Sequence, residues 1–331
     1  MSRETIVPMY RSIFVLVIIT VISLVIHIQV IILAQDTTIV QTAQAQKIIN
    51  GTDTSASPSS SYTSSSSLIN SIAAKKVKVG DIDVAYKIFG KGKPLLLIAG
   101  SGASMDMWDP TVLKQLSANH TVIIFDNRGK GQTSVGTIKN MTMSQFANDT
   151  AGLIDALAIQ KPVDVLGVSF GGFIAQELAL LHPGQVDRLI IYASDCDGKI
   201  AVPARPAPFA ATPIEQAKIV ADMIFPQQWK KEHPNYLSHM PIVPIPSLRA
   251  IQLEGQAISS WRGTCDKLSI ISKPTLVIVG TDDIIVPPAY SLPLAEKIPG
   301  AWLVQIKGGG HGVMYQYPEK FSRIVLTFLE S

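Results

Sequence analysis

Ser169 lies in Gly167-Val168-Ser169-Phe170-Gly171, between the apolar run Val163–Val168 and the helical FIAQELALL. A G-x-S-x-G between a strand and a helix is a sharp turn. It forces its central residue into strained backbone geometry and needs small neighbours on both sides, which Gly167 and Gly171 supply. The turn lifts the Ser169 hydroxyl above the sheet edge, and the helix N-terminus beneath it favours developing negative charge. A serine hydroxyl is a weak nucleophile and needs a base, with a third group to orient that base. Of six histidines, only His311 occupies a glycine-surrounded loop, Gly308-Gly309-Gly310-His311-Gly312, after a strand-like run. His120 precedes a strand, His182 ends a helix before Pro183, and His27 lies in an apolar leader. Three carboxylates can serve as the orienting acid: Asp283, which is preferred, its neighbour Asp282, and Asp195 at the end of the preceding strand. His311 and the adjacent Asp282 and Asp283 follow strands at their carboxyl ends, the edge where parallel sheets place ligands. Ser169 and His311 should lie within hydrogen-bond reach, or more loosely where no substrate is bound.

The elements needed to position these residues are legible as periodicity. KVKVGDIDVAYKIFG alternates apolar and polar residues about a Gly80-Asp81 turn, which predicts a β-hairpin. PLLLIAG, Thr121–Asp126, Val163–Val168, Arg188–Ser194, Pro274–Gly280 and Ala301–Gly308 read as short buried strands. Helical patterns separate them around Pro110–Ser117, Ser144–Leu157, Phe170–Leu181, Tyr290–Ile298 and Pro318–Leu329. This alternation predicts an α/β fold: a mostly parallel eight-stranded sheet with helices on both faces. From Asp197 to Thr264 no strand-like run occurs, and nine of the chain's 21 prolines fall there. An inserted helical cap is expected over about 197–264.

The first 71 residues read differently from the domain expected over 72–331. Between Arg11 and Asp36 lie 24 residues without Asp, Glu, Lys or Arg. As a helix they would span roughly 36 Å, enough for a hydrocarbon core about 30 Å thick. Residues 1–35 are therefore expected to be a membrane anchor. A cleaved signal is the alternative, with Ala43-Gln44-Ala45 as an A-x-A-like site, and a buried core helix is a third reading. Arg3 and Arg11 favour a cytoplasmic N-terminus, which puts the domain outside, or secreted if the leader is cleaved. Residues 36–71 end in the Ser/Thr-rich GTDTSASPSSSYTSSSSLINS, a linker with almost nothing to bury.

Composition excludes other classes. A formal net charge of +3, without a basic stripe, argues against a nucleic-acid partner. The histidines have no HExxH pattern, and His233 and His239 are poorly spaced ligands, so no metal site is expected. Cys196 and Cys265, the only cysteines, flank the expected cap. A bridge at its base is permitted for an exported domain, while two buried thiols are the alternative that cysteine's interior preference favours. Asn50, Asn119, Asn140 and Asn148 fit the glycosylation sequon, a pattern compatible with export.

Several motifs in order resemble the α/β-hydrolase fold superfamily, of the serine-hydrolase type, over nearly all of residues 76–331. GVSFGG resembles the nucleophile turn, FDNRGKGQTS the D-x-R-G-x-G-x-S loop, GTDDIIVP the G-x-x-D-x-x-x-P acid motif and KGGGHG the histidine loop. The resemblance implies Ser169 as nucleophile, His311 as base and Asp283 as acid. By position it implies an oxyanion hole from the backbone N–H groups of Ser101 and Phe170. The usual His-Gly after the third strand is replaced by Ala99-Gly100. The Ala103–Trp108 stretch with Met107-Trp108-Asp109 is similar to enol-lactonase and cofactor-free haloperoxidase relatives. Gly129-Lys130 lacks phosphate-loop spacing, and its segment is expected to be a structural turn. The expected activity is cleavage of a carboxylic ester, lactone or thioester, with no cofactor. Halogenation or perhydrolysis by the same residues, and a non-catalytic tethered ligand sensor, are the alternatives. Phe209, Met223, Phe225, Trp229, Met240 and Trp261 in the cap fit an apolar small-molecule acyl substrate or, equally, the cap's own core.

Overall fold

The computed structural model describes residues 72–198, 212–241, 243 and 246–331. The expectations for the leader, the linker and Phe209 lie outside those residues. Among the described residues no helix is long and apolar enough to cross a membrane.

Eight strands form one sheet: β1 (Lys75–Val79), β2 (Ile82–Gly90), β3 (Lys93–Ile98), β4 (His120–Phe125), β5 (Val163–Val168), β6 (Val186–Tyr192), β7 (Thr275–Gly280) and β8 (Trp302–Ile306). Their spatial order is β1-β2-β4-β3-β5-β6-β7-β8. The β1–β2 and β2–β4 pairs are antiparallel, and every later pair is parallel. The mostly parallel eight-stranded sheet inferred from periodicity is therefore the observed one. Its central strands are buried on both faces, which is why they read as continuous apolar runs.

Side chains on successive strand positions enter opposite layers. Leu96 and Ile98 of β3 join Val165 and Val277 in one core with helices α2 (Met143–Ala156), α3 (Phe170–Leu181) and α7 (Pro288–Lys297). Leu95 and Leu97 join Leu166 and Ile278 in the other, with α1 (Pro110–Leu116) and α9 (Pro318–Leu329). Local signals set the helix starts. Thr142 Oγ1 accepts the Gln145 N–H at 3.1 Å to cap α2, and Asp109 Oδ1 accepts from Thr111 and Val112 to cap α1. Between β6 and β7 come α4 (Pro213–Ile224), α5 (Gln227–Glu232) and α6 (Leu248–Ser260). A four-residue α8 (Val313–Gln316) follows the loop that holds His311.

Candidate active site

Ser169 has φ 53° and ψ −118° at the junction of β5 and α3. That strain is held by several hydrogen bonds. The Ser169 N–H donates to Tyr192 O at 2.9 Å, and Ser169 O accepts from the Gly172 N–H and the Ser194 hydroxyl, both at 2.8 Å. The flanking glycines are required by close approach rather than by φ. A Cβ on Gly167 would stand 2.2 Å from Gly171 O, and one on Gly171 would stand 2.2 Å from Ile98 O. Ser169 itself is half-buried, so its hydroxyl is accessible.

His311 Nδ1 lies 2.8 Å from Asp283 Oδ2. Asp283 is buried, and its other oxygen accepts the Ile285 and Val286 N–H groups at 2.9 Å each. The other two candidate acids are engaged elsewhere. Asp282 is exposed and accepts from the Thr281 hydroxyl, while Asp195 Oδ1 accepts the N–H groups of Asp197 and Gly198. With Nδ1 on Asp283, the imidazole's remaining nitrogen is Nε2. Among the described residues, no hydrogen bond joins Ser169 to His311. Such bonds are often loose without substrate and tighten when it binds.

The glycines around His311 make room for the cap. A Cβ on Gly310 would lie 2.3 Å from Ile224 O at the end of α4, and the Gly312 N–H donates to that same oxygen at 3.0 Å. Tyr192, wholly buried at the end of β6, donates its hydroxyl to His311 O and accepts the Met314 N–H. Burial raises the Tyr192 phenol well above its ordinary range, which keeps it a donor. Sequence reasoning missed this clamp, because a tyrosine ending a buried strand reads as core.

The Gly100–Ala103 turn lies against the nucleophile, and a Cβ on Gly100 would be 3.7 Å from Ser169 Cβ. The Ala103 N–H closes the turn on Gly100 O at 3.3 Å. From α6, Glu254 reaches this turn. It accepts the Ser101 hydroxyl and, at 3.2 and 3.3 Å, the Gly102 N–H. Glu254 Oε2 is also 2.6 Å from Lys130 Nζ. Neither Glu254 nor Lys130 was singled out in the sequence for this contact, since a lone acid on a helix reads as a solvated face.

The DNRGKGQTS segment is a structural turn. Buried Asp126 accepts the Met105 and Gln132 N–H groups at 2.7 and 2.8 Å, and a Cβ on Gly131 would collide with its carboxylate at 2.2 Å. Burial raises the Asp126 carboxyl above its usual range. Arg128 grips Asp149 through two bonds of 2.7 and 2.8 Å and Asp81 through a third of 2.7 Å.

Cys196 and Cys265 form a disulfide with Cα atoms 4.9 Å apart. This overturns the favoured alternative of two unpaired thiols: the Thr264 N–H donates to Cys196 O at 2.7 Å, and Gln176 of α3 bonds both Asp195 O and the Thr264 hydroxyl, which holds the two ends of the cap segment together. Phe225 and Trp229 are buried and pack on each other with centroids 4.7 Å apart, with Tyr236 and Tyr315 alongside. Met223 and Met240 pack against the same cluster, and Trp261 lies 4.6 Å from Phe173. Phe225 and Trp229 therefore serve as core, while Met223, Met240 and Trp261 stay half-buried beside it.

Comparison with known proteins agrees with this architecture. Residues 93–232 match the family model described as the alpha/beta hydrolase fold. A Mycobacterium tuberculosis protein named as a non-heme bromoperoxidase, BpoC, is 30% identical over 273 residues, covering 76% of this chain and 98% of its own. An Azorhizobium caulinodans protein named as a carbamate hydrolase, RutD, is 29% identical over 257 residues, covering 75% of this chain and 96% of its own. The solved enol-lactonase of Burkholderia xenovorans superposes with a TM-score of 0.66 at 25% identity, covering 78% of this chain and all of that one. The chain belongs to the α/β-hydrolase fold family. Its relatives make it a hydrolase of that fold.

Proposed function

We propose that this chain is a serine hydrolase that cleaves a carboxylic ester, lactone or thioester through an acyl-enzyme. The observation that carries the reading is the strained Ser169 on its turn together with the Asp283–His311 pair at 2.8 Å. His311 Nε2 takes the Ser169 proton as Oγ attacks the carbonyl carbon. The Ser101 and Phe170 N–H groups receive the oxyanion; among the described residues neither donates a hydrogen bond within the protein. His311 then protonates the leaving group and activates the water that releases the acid, with Asp283 fixing the imidazole's orientation throughout. Relatives named for carbamate hydrolysis and enol-lactone cleavage support carbonyl chemistry as the class. A panel of acyl esters, lactones, thioesters and carbamates on wild type and Ser169→Ala tests it. Turnover should vanish in the variant without loss of fold, and retained turnover would reject the mechanism.

The relative named as a bromoperoxidase favours one second reading, peroxide-dependent halogenation or perhydrolysis by the same residues. Bromination that outpaces hydrolysis on the panel would select it. We also propose that the domain acts outside the cytoplasm, on a small apolar acyl substrate, held at a membrane by residues 1–35 or secreted after their removal. The Cys196–Cys265 bridge supports that location, because disulfides persist mainly in oxidising compartments.

A further inference from the structure

Four groups converge where the cap meets the turn beside Ser169. Glu254 is 4% exposed and Lys130 2%, so both charges are taken from water. Their 2.6 Å contact is an ion pair without a well-directed hydrogen bond from Lys130 Nζ. Glu254's directed bonds instead come from the Ser101 hydroxyl and the Gly102 N–H. A buried ion pair is weak evidence for stability, since desolvation offsets much of the attraction. What Glu254 does hold is a turn whose other side-chain tie, among the described residues, is the weak Gly100 N–H contact to Met107 Sδ at 3.3 Å. Ser101 is exposed, Gly102 has φ +70°, and the turn's own backbone bond is long at 3.3 Å. An oxyanion donor contributes most when it is already in place before charge develops, to within about 0.5 Å.

We propose that Glu254 is a positioning residue: from the cap it locks the Gly100–Ala103 turn so that the Ser101 N–H faces the developing oxyanion, with Lys130 balancing its charge. The inference rests on the acyl-enzyme reading above. It makes the cap a working part of the oxyanion hole as well as a cover. Replacing both charged groups by apolar side chains of similar length, Glu254→Leu with Lys130→Met, releases the turn without leaving a lone buried charge.

The test uses the full chain, a p-nitrophenyl ester as probe, and active sites counted by a fluorophosphonate. Wild type is measured first: if Ser169 is neither labelled nor competent in ester turnover, the acyl-enzyme reading fails and this inference falls with it. Given an active wild type, kcat per counted site should fall ten- to a hundred-fold in the paired variant. That is less than the roughly 10²–10³ for outright loss of an oxyanion donor. KM should stay within threefold, and affinity for a boronic acid, a tetrahedral mimic, should fall by about the same factor as kcat/KM. A purely structural staple would lower the melting temperature and the fraction of active sites, leaving kcat per site unchanged. If the pair fails to fold, Ser101→Ala decides. It keeps the N–H, loses one anchor on an exposed residue, and should lower kcat and boronate affinity together by three- to tenfold. In whichever variant decides, kcat per site and boronate affinity within twofold of wild type would overturn the proposal.

Discussion

Asp283→Asn isolates the electronic role of the acid from its shape. Asp283 Oδ1 accepts two backbone N–H groups, from Ile285 and Val286, at 2.9 Å each. In the variant, the asparagine oxygen must keep that position, because an amide NH2 there would face two donors. The NH2 is therefore forced to the Oδ2 position, 2.8 Å from His311 Nδ1, and donates to it. Nδ1 must then be the acceptor, which moves the imidazole proton to Nε2. An Nε2 already protonated cannot take the Ser169 proton. The same substitution in a serine protease triad lowers kcat about 10⁴-fold by this tautomer exchange. We expect a loss of about 10³–10⁴ here, equivalent to roughly 4–5.5 kcal/mol in the barrier. The assay is ester turnover per counted active site, with the melting curve as a fold control. Asp282→Asn and Asp195→Asn serve as comparisons and should stay within tenfold of wild type. Asp283→Asn retaining more than a tenth of wild-type kcat would refute the reasoning. So would a larger loss from either comparison variant.

Other outcomes follow from groups outside the site. Reducing Cys196–Cys265 reopens a loop with a sequence separation of 69 residues. That removes about 4 kcal/mol in the chain-entropy estimate and should lower Tm by on the order of 10 °C; a Tm indifferent to reductant contradicts it. Asp109, buried at the start of α1, is raised by burial from its ordinary 3.8 to about 6. Between those values the folded state binds more protons than the unfolded state, so this group's contribution to stability falls as pH rises through the window and stays low above it. Asp109→Asn should raise stability at pH 7 by up to about 3 kcal/mol and flatten that part of the pH profile; denaturant melts showing an unchanged slope would count against it. Deleting residues 1–35 should turn a membrane-associated protein into a soluble, active one, read by fractionation and turnover. Insolubility of the folded remainder would point to a second membrane contact.

What the sequence revealed follows from which forces act locally. Buried parallel strands need continuous apolar runs, so β3, β5 and β7 were readable from composition alone. β6 ends at Tyr192 rather than at Ser194, where the sequence pattern predicts its end, because the backbone turns at Ala193 with φ +48° and no side-chain type marks that turn. Ser169, Asp283 and His311 stood out because their loops need glycines or a proline at fixed offsets. Tyr192 and Glu254 act through contacts spanning 119 and 153 residues. No local pattern encodes such contacts, and only the folded register of strand and cap creates them. The disulfide is likewise a question of geometry, settled by the bond of the Thr264 N–H to Cys196 O between segments far apart in sequence.

The central claim is that Ser169 is an activated nucleophile. Its most direct test is to expose the full chain to a fluorophosphonate and locate the adduct by mass spectrometry of the digested protein. The account predicts one adduct, on the peptide carrying Ser169, slowed at least a hundredfold in His311→Ala. No adduct, an adduct on another residue, or labelling indifferent to His311 would contradict it.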